Sequence, residues 1–243
     1  MKNTLWTFGC SFTAEWHPLN NTPPNNYDKY KIWRGGNLPK VWPTILSECM
    51  GFDLQNLGKG ASSNDMIFKT FCHNVKDINE GDVVVIGWTS MLRALMANQN
   101  THQLQDVLVS QDYPEFDRNF LDYYFINRSE DAWSQQIIAY IEIINELAKS
   151  KKFKVVYWSS DDKLFNYLEN HFDGFIDSDF IVNRITKNYN LIRYLSYLNR
   201  FGFKTSIIDE TLGAVKDCHS GEIGHKIQAK IIYNHLKKYG KIH

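Results

Sequence analysis

Short apolar runs alternate with longer amphipathic ones along nearly the whole chain. The strongest run is Val83-Val84-Val85-Ile86, a continuous apolar stretch inside 82–88 of the kind a parallel strand buried on both faces requires. Leu5 to Phe8, Asp53 to Leu57, Phe153 to Trp158 and Thr205 to Ile208 read as four further short strands. Between the strands, apolar residues recur every three or four positions, which is the helical period. Val41, Ile45, Leu46 and Cys49 predict a helix over 39–50 that stops at Gly51. Ile67, Phe71 and Val75 predict one over 62–75, with serines available to cap its start. Ile137, Ile141, Ile144 and Leu147 predict a helix over 133–149, and Ile223, Ile227, Ile231 and Leu236 a final one over 222–239. Helices are also expected over 161–171 and over 188–201, the latter ended by Gly202. From 90 to 127 the pattern is mixed and reads as a short helix followed by an excursion rich in Tyr, Phe and Asp.

Strands alternating with helices predict the α/β class, as a three-layer α/β/α sandwich around a mainly parallel five-stranded sheet. A length of 243 residues suits a single domain spanning 1–243. Two insertions interrupt it, around 17–37 and around 99–127. The first is polar and punctuated by Pro23-Pro24 and Gly35-Gly36, yet Trp16, Tyr27, Tyr30 and Trp33 make it read as an ordered aromatic flap.

Charge and cysteine usage narrow the function classes. A formal net charge of zero gives no basic footprint for nucleic acid, and Lys237-Lys238 reads as a solvated helix end. No apolar run is long enough to span a bilayer, and no basic-then-apolar leader is seen at the start. A cytoplasmic chain with free thiols at Cys10, Cys49, Cys72 and Cys218 is therefore expected. These cysteines match no zinc or redox spacing. His17, His73, His102, His219 and His225 form no metal-ligand pattern. Neither a metal nor a cofactor is expected.

In open α/β sheets, sites form beyond the carboxyl ends of the strands, and four polar segments occupy those positions here. Ser11 follows the first strand in Thr7-Phe8-Gly9-Cys10-Ser11-Phe12-Thr13. It is either a nucleophile exposed by a tight turn at Gly9 or a plain turn serine. Asn56 to Asn64 follows the second strand with small residues suited to offering backbone N–H groups. Gly87-Trp88-Thr89-Ser90 closes the third, where Thr89 offers a hydroxyl and Trp88 reads equally well as core. Asp217 and His219 precede the last helix. A histidine has the right ordinary pKa for a general base near neutrality. The plainer alternative is an exposed first-turn residue beside a capping Asp217 or Ser220. His225, further into the helix, reads as a packing residue.

Taken in this order, the segments resemble the SGNH (GDSL-type) hydrolase superfamily, as four spaced blocks over essentially the whole chain. Gly9-Cys10-Ser11 matches the first block, Asn56-Leu57-Gly58 through Ala61 the second, and Asp217 with His219 the last. The resemblance implies an SGNH/flavodoxin-like fold and a serine esterase or deacylase with a Ser11–His219–Asp217 triad. The N–H groups of Ser11 and of Gly60 or Ala61 would form its oxyanion hole. The substrate class is a small-molecule or carbohydrate ester, an O-acetylated sugar among them. Three departures stand out. The second-block glycine falls on Ala61 or shifts to Gly60, and a backbone donor at Ala61 expects a negative φ there. Thr89 occupies the slot of the third-block asparagine, for which Asn64 is the substitute donor. Acid and histidine are two residues apart rather than three. Two alternatives share these residues: a member that has lost catalysis and binds a glycan or a protein, and an O-acyltransferase.

Overall fold

The computed structural model describes residues 2–15, 40–98, 100–108, 116–127, 130–159, 164 and 222–238. Four described strands form one parallel sheet: β1 (Thr4–Phe8), β2 (Asp53–Asn56), β3 (Val83–Trp88) and β6 (Lys154–Ser159), in the order β2-β1-β3-β6. All six residues of β3 are buried, as its unbroken apolar run predicts for a central strand covered on both faces. The helices are α1 (Trp42–Met50), α2 (Asn64–Asn74), α3 (Arg118–Asn127), α4 (Glu130–Lys151) and α5 (Glu222–Lys238).

Alternation along the strands divides the core in two. Trp6, Phe8, Val84, Ile86, Val155 and Tyr157 point to one face and pack with Ile67 and Phe71 of α2 and with Ile137, Ile141 and Ile144 of α4. Leu5, Val83, Val85, Val156 and Trp158 point to the other, with Trp42 and Leu46 of α1 and Ala229, Ile232 and Leu236 of α5. Helices on both faces of a parallel sheet make this a three-layer α/β/α sandwich. At the amino ends of the strands the buried Asp82 carboxylate accepts from Thr4 N (2.8 Å), Trp6 Nε1 (3.0 Å) and Asn79 N (3.0 Å), tying β1 to β3.

The segment after β3 differs from the short helix expected there. It is an antiparallel hairpin, β4 (Arg93–Ala97) and β5 (Leu104–Leu108). Leu92, Ala94, Leu95, Met96 and Ala97 are helix formers by propensity. The alternate residues Ala94, Met96 and Val107 are instead buried in the core, and tertiary packing of one face overrides a local preference. Asn98 fixes the bend: its Oδ1 accepts from Asn100 N (2.9 Å) and Thr101 N (3.0 Å). The excursion beyond it contains α3. The flap at 17–37, the fifth strand at 205–208 and the helix at 188–201 lie outside the described residues, as does the 161–171 helix apart from the buried Leu164.

Candidate active site

Strand order sets where a site can form. The chain passes from β1 outward to β2 and then back across β1 to β3, so the loops leaving β1 and β3 diverge and open a crevice at their carboxyl ends. Ser11 lies on the first of these loops, half-buried. Its turn is closed by Thr13 N and Ala14 N, which both donate to Cys10 O (2.9 and 3.0 Å).

Two hydrogen bonds press this turn against the end of β2 and the loop after it, and Asn56 braces them. Lys59 N donates to Gly9 O (3.0 Å). Asn56 Nδ2 donates to Thr13 O (3.0 Å), while Asn56 Oδ1 accepts from Thr7 Oγ1 (2.9 Å) and Gly58 N (3.1 Å). The two glycines meet at Thr13. A methyl at Gly58 would lie 2.7 Å from Ala14 N and 2.8 Å from Thr13 C, and one at Gly9 would overlap the Thr13 side chain. Neither position has room for a side chain.

The loop then turns over Lys59–Ser62, closed by Ser62 N donating to Lys59 O (3.3 Å). Ala61 is its third residue, with φ +64°. A positive φ at that position is where such turns take glycine; here Gly60 stands one residue early and alanine carries the left-handed conformation. The negative φ expected at Ala61 is thus corrected, and with it the condition set on a donor there: alanine takes the left-handed conformation at a cost of about 1–2 kcal/mol and keeps its N–H. The turn spends only the Lys59 carbonyl and the Ser62 N–H. The N–H groups of Gly60 and Ala61 have no acceptor among the described residues.

Beyond the turn the Ser62 carbonyl and both backbone groups of Ser63 are held. Arg93 Nη1 donates to Ser62 O (3.3 Å), Ser63 N donates to Asp106 Oδ1 (2.7 Å), and Ile67 N donates to Ser63 O (3.0 Å). Ser63 caps α2, its Oγ accepting from Met66 N (3.3 Å). Burial pushes the Asp106 carboxyl above the usual carboxylate range, against the opposing pull of the Ser63 hydrogen bonds and of Lys59 and Arg93. A cavity of about 320 Å³ opens beside Lys59 and Gly60, walled by the polar side chains of Gln103, Gln105 and Asp106.

Asn64 and Thr89 are brought together as a reciprocal pair. Thr89 N donates to Asn64 Oδ1 (2.8 Å) and Asn64 Nδ2 donates to Thr89 O (2.9 Å), both residues being buried. This pair anchors the start of α2 to the end of β3 and leaves the Asn64 amide a single further N–H. Trp88 is wholly buried and stacks on Tyr157 (6.3 Å between centroids, 12° between planes), so it belongs to the core.

Asp217 and His219 lie outside the described residues. The helix that follows them, α5, is anchored through Trp42. Val41 has no side-chain oxygen to cap α1, and the buried His225 Nδ1 accepts the Trp42 N–H in its stead (3.2 Å). The accepting nitrogen carries no proton. The Trp42 indole Nε1 donates in turn to Phe12 O (2.9 Å), next to Ser11. One tryptophan thus bridges the Ser11 turn and the start of the last helix. Cys10, Cys49 and Cys72 carry free thiols, while Cys218 lies outside the described residues. Among the described residues, no three His, Cys, Asp or Glu side chains gather to hold a metal ion, and no helix is long and apolar enough to cross a membrane.

Arg93 and Asp106 are the residues that sequence reasoning missed. The local signal for them is weak: neither Arg93 to Ala97 nor Leu104 to Leu108 alternates apolar with polar residues, and only the turn-forming stretch from Asn98 to Gln103 between them hints at a hairpin.

No family model matches the chain, and no curated protein does. Among solved structures, it is similar to a protein from Desulfitobacterium hafniense DCB-2 assigned to the G-D-S-L family of lipolytic proteins, at 14% identity and a TM-score of 0.43. The similarity covers 96% of this chain and 99% of that one.

Proposed function

We propose that the chain is a serine esterase or deacylase. Ser11 Oγ attacks the ester carbonyl while His219 takes its proton, and Asp217 orients the imidazole and stabilises its charged form. The tetrahedral oxyanion is held by the N–H groups of Ser11 and of Gly60 or Ala61. Collapse expels the alcohol, which receives the proton from His219, and leaves an acyl-Ser11. Water, deprotonated by the same imidazole, then attacks this acyl group and releases the carboxylic acid. The polar walls of the cavity beside Gly60 suit a hydroxyl-bearing alcohol such as a sugar, because an alkyl chain there would strip water from amides without replacing its hydrogen bonds.

The observation that carries this reading is the Lys59–Ser62 turn. Its Gly60 and Ala61 N–H groups are left open among the described residues, and the turn is bonded directly to the loop that bears Ser11. Donors fixed before reaction are what acyl transfer needs, and losing one typically costs about 3 kcal/mol of barrier. The test is labelling with a fluorophosphonate. Wild type is expected to react and Ser11→Ala to remain unlabelled, while His219→Ala slows labelling and ester turnover about 10²–10⁴-fold. Equal reaction of wild type and Ser11→Ala overturns the assignment.

A further inference from the structure

Arg93 on β4 and Asp106 on β5 stand on one face of the hairpin. Leu95 pairs with Asp106 and Arg93 with Leu108, so the two charged residues are diagonal neighbours across the ladder. Their targets are the two ends of a single peptide unit. Arg93 Nη1 binds its carbonyl, Ser62 O, and Asp106 Oδ1 binds its N–H, that of Ser63. We propose that Arg93 and Asp106 are positioning residues, a two-point clamp on the Ser62–Ser63 peptide that holds the Gly60 and Ala61 N–H groups in their working orientation. The inference rests on the reading of those groups as oxyanion donors.

Three features make the clamp more than a helix cap. Ser63 caps α2 through its own hydroxyl, whereas Asp106 takes the Ser63 backbone N–H, one residue before the helix begins. The gripped peptide directly follows Ala61, an alanine held at φ +64°; such a conformation persists only where its surroundings over-determine it. The upstream side of the turn is fixed independently by Lys59 N on Gly9 O. With both ends held, the Gly60 and Ala61 N–H groups have little freedom to rotate. The opposite face of the hairpin, through Ala94, Met96 and Val107, is anchored in the core, which gives the clamp a rigid base.

The test uses the full chain with Asp106→Ala, Arg93→Ala and the double variant, and two readouts. The first is hydrogen exchange of the Gly60 to Asn64 amides. Each variant is expected to expose the Ser63 amide and to loosen its neighbours. The second is the rate constant of fluorophosphonate labelling, counted per titratable Ser11. It is expected to fall about 10- to 100-fold, because a displacement of about 1 Å in such donors has effects of that size. KM for 4-nitrophenyl acetate should change far less than kcat. A clamp serving stability alone would lower the melting temperature and the fraction of active molecules, but not the rate per active molecule. Unchanged exchange at Ser63 overturns the clamp whatever the enzyme does. Faster exchange with an unchanged labelling rate overturns its role in positioning. Failure of the underlying esterase reading is recognised separately, because wild type and Ser11→Ala would then be indistinguishable, and the positioning role would fall with it.

Discussion

Replacing Ala61 with glycine should make the protein more stable, the reverse of what this substitution does at most sites. At an ordinary position glycine costs about 0.4–1 kcal/mol, because the unfolded chain gains conformations that folding must remove. At Ala61 the folded backbone has φ +64°, where a Cβ crowds the following carbonyl at a cost of about 1–2 kcal/mol. Glycine removes that cost. Ala61 is exposed, so little packing is lost with its methyl. The difference leaves a net gain of roughly 0.5–1 kcal/mol. For a chain of this size each kcal/mol moves the melting temperature by about 2–4 °C, so a rise of about 1–4 °C is expected in a reversible thermal or urea melt. Labelling of Ser11 should persist, since glycine keeps the backbone N–H. A fall in stability of the ordinary size would show that residue 61 is not left-handed, and the account of the Lys59–Ser62 turn would fail.

Asp82→Ala should cost about 3–4 kcal/mol, because it strands the buried Trp6 indole N–H and two backbone donors. Urea denaturation checks this, and the labelling rate per folded molecule should be unchanged, since Asp82 sits at the amino ends of the strands, away from Ser11. Asp106→Asn tests the electrostatics. The folded carboxyl is raised by burial, so its contribution to stability is complete below the unfolded pKa and is lost as pH rises through the folded one. Asparagine does not titrate. The variant should therefore gain stability relative to wild type as pH climbs above the ordinary carboxylate range, about 4, read as the difference between their melting temperatures. The opposite slope would mean that Lys59 and Arg93, the cations facing Asp106, outweigh its desolvation.

Much of the sheet could be read from the chain because its signals are local. The Val83 to Ile86 run predicted a doubly covered strand, and the spacing of Ile137, Ile141 and Ile144 predicted the helix that covers one face of it. The serines at the start of the second helix signalled a cap, and Ser63 is the one that supplies it. The hairpin escaped, because the helix formers Ala94, Leu95 and Met96 gave a local preference that distant packing reversed. The left-handed Ala61 escaped for a related reason. Nothing in the residues Lys59-Gly60-Ala61-Ser62 says which of the two central ones carries the positive φ. That is decided by Lys59 on Gly9, by Arg93 and by Asp106, residues that meet only in the folded chain. The same holds for Trp42. Its two hydrogen bonds, to Phe12 and to His225, join segments far apart in sequence, and no local pattern announces them.

That pair of hydrogen bonds has a consequence for synthesis on the ribosome. The segment carrying Ser11 is made well before residues 222–238, which bring the imidazole that caps α1. Until then Trp42 and Leu46 face water on an uncovered side. A nascent chain halted before α5 should therefore be sticky and catalytically silent, and chaperone engagement should concentrate on that half-built layer.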